Sequence, residues 1–434
     1  MSKTKDLLRF IKESPTAFGA VDSVVRTLEK HGFLPLLEAE EWRLSPGKDY
    51  YVTRNGSSII AFRIPKATPR NFMIAASHTD SPMLKLKKEA ISRATNGSVR
   101  LNTEVYGGTI LSSWLDRPLS LAGRVVLLQN GVFKTRSVAI DRDLLVIPSV
   151  AIHMNREVNA GYRYNPAVDM LPLLSEGEAV DLGALLAREL GCRKEEIVGT
   201  DLYVYNRMEG VVLGAEEEFF SAPRIDNLMC VFGSLDGFVN AKTQNAVNVL
   251  FAADNEETGS ATKQGADSVF LADTLERICG ALGTDRKRML ASSMMVSADN
   301  AHAMHPNHPE LSDPQNAPKM NGGVVIKVNA AQKYTTDGLS AAIFEEILKH
   351  ASVPVQYFAN RSDMAGGSTL GSISTTHVPL LSVDIGMAQL AMHSSYETAG
   401  CRDVDHLLCA MRAFFESEIY TDENGSFGIR FSNC

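Results

Sequence analysis

Cysteine is sparse and unpaired in this chain. The six residues, Cys192, Cys230, Cys279, Cys401, Cys409 and Cys434, form no Cys-x-x-Cys pair and follow no framework spacing. That excludes a disulfide-stapled scaffold and suits a reducing compartment. Long hydrophobic runs are missing too: none approaches the ~20 residues that a membrane helix needs. There is no polybasic run, and the balance is mildly acidic, with a net charge of -8. Nucleic acid and anionic membrane are therefore not expected as partners. The N-terminus, Met-Ser-Lys-Thr-Lys-Asp, leads into an amphipathic stretch rather than a secretory apolar core, so a cytoplasmic location is expected. Internal repeats and low-complexity tracts are absent. The 434 residues are enough for two or three domains around a substantial core.

What the chain does have is a set of five separated acid and histidine motifs: His78-Thr79-Asp80, Asp226, Asn255-Glu256-Glu257, Asp299 and His393. Each lies near a strand-like apolar run. Asn71 to Ser77 leads into His78, Asn248 to Asp254 into the paired glutamates, and Met294 to Ala298 into Asp299. His393 follows a strand predicted from Val378 to Ile385. Asp226 opens an apolar helical stretch from Asn227 to Phe238. The carboxyl ends of strands in an open α/β sheet are where ligand sites assemble. Taken singly, each motif has an ordinary explanation. A strand-end His can be a bonded core residue, paired glutamates suit a helix N-terminus, and Asp226 can be an N-cap. Together they supply carboxylates and imidazoles in the proportion that two divalent ions sharing one carboxylate require. Glu256, adjacent to a ligand, is left over as a base. Asp80 is placed to orient the His78 ring. The residues themselves thus read as a two-metal hydrolase.

The stretches Ala76 to Pro82, Ala222 to Leu228, Asp254 to Ser260, Ser297 to Pro306 and Gln389 to Ser394 resemble, in order and over essentially the whole chain, the M18 aminopeptidase family, the aspartyl aminopeptidase group. The resemblance implies two Zn2+ per subunit, with Mn2+ or Co2+ able to substitute. His78, Asp226 and Asp299 would hold one ion and Asp226, Glu257 and His393 the other, with Asp226 bridging. It implies Glu256 as general base acting on a metal-bridged water, and Asp80 as the acid behind His78. His153 and His302 match family positions at which a substrate contact or a metal contact is open; His153 could also reach a neighbouring subunit's site. The implied substrates are peptides with a free, acidic N-terminal residue. Because the chain is itself acidic, such a substrate needs a local cation. Lys327 and Lys333, on the run Val324 to Tyr334, are the candidates, with Arg361 behind them. The glycine-rich turn Met364 to Gly371 either offers backbone N–H groups to substrate or is simply a tight turn.

The expected fold class is α/β: a zinc-exopeptidase-like catalytic domain with a mixed sheet flanked by helices, and an inserted β-rich domain. Short β-like runs separated by turns such as Asn96-Gly97 and Asn130-Gly131 dominate from about 88 to 218. The catalytic domain is therefore expected at 1–87 and 219–434, with 88–218 as a dimerisation or lid insert. By the same resemblance the molecule is a large homo-oligomer, a dodecamer. Two other functions fit the residues: a di-zinc deacylase or carboxypeptidase of the same fold, and a non-catalytic assembly protein that uses the metal residues as staples. A closed structural site has no use for a spare base such as Glu256, which argues against the second.

Overall fold

The computed structural model describes residues 3–177, 180–242 and 245–431. Its architecture is mixed α/β. Nine strands form one sheet, in the order Leu34–Leu36, Asp49–Arg54, Ser58–Arg63, Val247–Ala253, Phe72–His78, Met294–Ala298, Leu381–Gly386, Val324–Val328, Val355–Ala359. The four central strands, from Val247–Ala253 to Leu381–Gly386, are mutually parallel. Their carboxyl ends therefore lie along one edge, and that edge carries the acid and histidine motifs.

These strands are mostly apolar and almost wholly buried because both faces are covered. Alternate residues of Phe72–His78 divide between two cores: Met73 and Ala75 pack with the helices on one side, Phe72, Ile74 and Ala76 with those on the other. The first core is closed by helices Lys3–Glu13, Ala17–Lys30, Ile225–Asn240, Gly338–His350 and Cys401–Glu416. The second is closed mainly by Phe270–Leu282 and Arg286–Leu290. The N-terminal amphipathic stretch divides into two helices at the Ser14-Pro15 break, since proline lacks the N–H and restricts the residue before it.

A six-stranded antiparallel sheet has its own core around Trp114, Leu121, Val125 and Val204. Its strands run from Met83–Arg93 to Ile197–Asn206. Two segments within it depart from the pattern of short apolar strands between turns. Leu144 to Ile147 makes only isolated bridges, Leu145 to Leu119 and Val146 to Leu173. Val132–Ala139 is a full strand although nearly all of it faces solvent, so apolar patterning gives no sign of it. A third sheet, of five strands, sets Phe219–Ala222 beside Glu397–Gly400 and then Ala388–Leu390. This brings the approach to Asp226 next to the residues that flank His393. Gly386 is required where the last parallel strand passes Asp299: a Cβ there would lie 2.1 Å from the Asp299 carbonyl oxygen.

Candidate metal centre

His78 is the last residue of a central strand, and its ring points along the sheet edge. Nδ1 donates to the Asp80 carbonyl oxygen at 3.1 Å and lies 3.4 Å from Asp80 Oδ1. That fixes the ring so that Nε2 faces outward, 3.5 Å from both Asp226 Oδ1 and Asp299 Oδ1. On the other side of Asp226, His393 Nε2 lies 3.5 Å from Asp226 Oδ2 and 3.4 Å from Glu257 Oε2. The His393 ring is set by Nδ1, which donates to the Gly108 carbonyl oxygen at 3.1 Å. The two oxygens of Asp226 thus face two different imidazoles, and each imidazole has a second carboxylate beside it.

Several observations make these groups fit cations. Asp226 Oδ1 and Glu257 Oε1 are buried and accept no hydrogen bond from the described residues, a costly arrangement for carboxylate oxygens. Ligand atoms of His78, Asp226 and Glu257 lie within 4.8 Å of one another. Tetrahedral zinc with ligand bonds of about 2.0–2.1 Å places its ligands roughly 3.3–3.4 Å apart. The spacings of 3.4–3.5 Å match that better than the hydrogen-bond range.

The electrostatics point the same way. Burial works against a charge on His78, yet Asp226, Asp299 and Asp80 outweigh it and raise its pKa well above the usual value. Asp226 is lowered in turn, its two histidine neighbours overcoming burial. Burial, joined by neighbouring carboxylates, raises Glu257 and pushes Glu256 up to about 8. Protons held between carboxylates and imidazoles are what bound cations displace.

Asp80 anchors the glutamate pair as well as His78. Its oxygens accept the backbone N–H groups of Glu256 and Glu257, each at 3.2 Å. Glu397 has no counterpart in the sequence reading. It is 1% exposed and accepts from the backbone N–H of Asp226 at 3.0 Å and of His393 at 2.8 Å. One side chain therefore ties down the shared carboxylate and the second imidazole. Its position four residues after His393 was the only sign of it in the sequence. Burial pushes it up to about 8.

A cavity of about 260 Å³ opens over these groups. It is lined by His78, Asp226, Glu256, Glu257, Asp299 and His393, together with His302, Lys327 and the turn Gly367 to Thr369. Lys327 is 2% exposed; its ammonium donates to the Asp299 carbonyl oxygen at 2.7 Å and lies 3.6 Å from Asp299 Oδ2. Burial works against its charge, but Asp299, Asp384 and Tyr334 together outweigh it and raise its pKa. Lys333 is not brought into this lining. The strand ends at Val328, the alternation that points Lys327 inward ends with it, and Lys333 is exposed. Arg361 is likewise outside, paired with Asp363. His153 is exposed and does not line the cavity of its own chain.

A family model for the aminopeptidase I zinc metalloproteases (M18) matches residues 10–415. A Clostridium acetobutylicum protein called probable M18 family aminopeptidase 2 is 46% identical over 416 residues, which are 93% of this chain and 95% of that protein. Among solved structures, a chain of the Ape4 and Nbr1 complex superposes with a TM-score of 0.92 at 36% identity, covering 95% of this chain and 85% of its own. The S. cerevisiae mApe1 dodecamer gives a TM-score of 0.84 at 26% identity, with 95% of each chain covered.

Proposed function

This chain belongs to the M18 zinc metalloproteases and is an aminopeptidase, and from that premise we propose that it removes an acidic N-terminal residue, Asp or Glu, from peptides. The observation that carries the mechanism is the sharing of Asp226 between two imidazole–carboxylate groups beneath a cavity lined by Glu256. His78, Asp226 and Asp299 would hold one zinc ion, and Asp226, Glu257 and His393 a second. Bound zinc supplies Lewis acidity, polarising a carbonyl oxygen and making water a better acid.

Glu256 does the proton work. It takes a proton from the attacking water and returns it to the departing amine. Glu256 lines the cavity and is not one of the residues assigned to hold the ions, which leaves its carboxyl free for both halves of that task. Asp80 keeps Glu256 in place through the backbone and keeps His78 in its working orientation. Among the described residues Lys327 is the one lysine or arginine lining the cavity, and it offers the charge that an acidic side chain needs. His302, also in the lining, is a substrate contact.

We assign residues 1–87 and 219–434 to the catalytic unit and 88–218 to an insert that contacts other subunits. In support, the six-stranded sheet has a separate core and exposes Val132 and Phe133, and the loop that follows their strand exposes Val150, Ile152 and Met154. A relative of the same fold is a dodecamer, which supports a homo-oligomer here. In such an assembly the exposed His153 would serve a neighbouring subunit's site.

Acidic preference is tested with a panel of aminoacyl reporters on the zinc-loaded enzyme and on Lys327→Met. The preference for Asp over Leu should fall on the order of tenfold or more when the buried cation is removed. Because Lys327 also holds the Asp299 carbonyl, zinc content is measured on the same samples. An unchanged preference at full zinc content would return the pocket to a neutral reading.

A further inference from the structure

The carboxylate of Glu256 makes no hydrogen bond to a protein group among the described residues, although it lines the cavity. Nothing grips the side chain directly, so its aim depends on the backbone that presents it. That backbone leaves the central strand at Ala253, and Asn255 sits in the left-handed region at φ 62. An asparagine tolerates that conformation, but only when the surroundings hold it there.

The holding group comes from the other sheet. Tyr106 ends the strand Val99–Tyr106 of the six-stranded sheet. Its hydroxyl donates to Asp80 Oδ2 at 2.6 Å and accepts from Asn255 Nδ2 at 2.8 Å. Asn255 Oδ1 is occupied by Thr262 Oγ1 at 2.9 Å and Gln264 Nε2 at 2.7 Å, which fixes which way the amide faces. The same Asp80 carboxylate receives the N–H groups of Glu256 and Glu257. The ring is wedged edge-on against Tyr203 of the neighbouring part of that sheet, centroids 5.6 Å apart. The residue that follows, Gly107 at φ 73, passes so close to the glutamate loop that a Cβ on it would lie 3.1 Å from Glu257 Cβ. The hydroxyl therefore closes a chain from the second sheet, through Asp80, to the two N–H groups on either side of the Glu256 side chain.

We propose that Tyr106 is a positioning residue for the hydrolytic step: its hydroxyl fixes Asp80 and Asn255, and through them the backbone from which Glu256 reaches the cavity. The proposal rests on the reading of Glu256 as the proton carrier. It does not make Tyr106 a metal contact, because the hydroxyl meets the carboxylate that faces the back of His78 rather than any group between the two imidazoles.

The test is a double-mutant cycle on the zinc-loaded full chain, using Tyr106→Phe, Glu256→Gln and the pair. Tyr106→Phe removes one oxygen and keeps the ring. It should lower kcat by roughly tenfold with KM changed less than about twofold, since a small misplacement of a reacting group costs rate rather than binding. Zinc content should be unchanged. Hydrogen exchange at residues 254–258 should speed up in the zinc-free chain, a change that does not depend on turnover. Added to Glu256→Gln, the tyrosine substitution should have almost no further effect, because groups acting as one unit are not additive. Asn255→Gly, which keeps the left-handed backbone while removing the amide, should lower kcat in the same direction even if Tyr106→Phe folds poorly. Wild-type kcat in Tyr106→Phe overturns the proposal. So do a loss confined to KM, a loss of zinc, and a full multiplicative effect on top of Glu256→Gln. The Glu256 reading fails separately, on the single Glu256→Gln enzyme retaining normal turnover.

Discussion

The two imidazoles at the centre of the candidate site flank Asp226 from opposite kinds of support. His78 is 1% exposed, is the final residue of a central strand, and is oriented by an acid two positions along the same chain segment. His393 is 33% exposed and lies in a loop, with φ at 68. It is held by Glu397, four residues on, at its N–H, and by groups from far away in the chain: Gly108 on its ring, and Thr109 and Ile110 on its carbonyl. One half of the site follows from a regular sheet. The other is assembled from loops of different sheets, and only Asp226 belongs to both.

The sharpest way to break that arrangement is at the shared residue. Asp226→Asn keeps the shape and removes the charge that both halves use. Activity should fall to background and zinc binding should weaken at both positions, measured by metal analysis after equilibration. Loss of one ion with the other retained would show that the halves do not share it. Next in size is Glu256→Gln, which touches neither half. Turnover should drop about 10²–10⁴-fold, the usual contribution of a positioned acid–base group, at unchanged zinc content. Smaller still is Glu397→Gln. The amide replaces an oxygen that accepts a backbone N–H, either from Asp226 or from His393, and leaves that donor unpaired. Affinity for one of the two ions should fall about 10- to 100-fold, as for other groups that orient metal ligands. The ion beside His78 should be the less affected, which a competitive zinc titration would resolve. Equal weakening of both would erase the distinction between the halves.

How much of this was legible in the sequence depends on whether a residue stands at a strand end or takes its role from a distant backbone group. Residues at strand ends, His78, Glu256, Glu257 and Asp299, announced themselves because an apolar run stops on a polar one, and the sheet sets those ends side by side. The mixed α/β fold was legible for the same reason. Glu397 was not, because its role comes from accepting a backbone N–H 171 residues away. Tyr106 was hidden in the same way: it ends an ordinary strand, and only the approach of two sheets gives its hydroxyl a partner at Asp80. Lys333 shared a run with Lys327, and periodicity could not show that the strand would end between them. The strand Val132–Ala139 escaped notice because it buries almost nothing.

The central claim is most directly tested by stripping the protein with a chelator and restoring activity with measured additions of zinc. Two imidazole–carboxylate groups joined at Asp226 predict that turnover rises until two equivalents per chain are bound and then levels off. A plateau at one equivalent, or zinc uptake that Asp226→Asn leaves untouched, would contradict it.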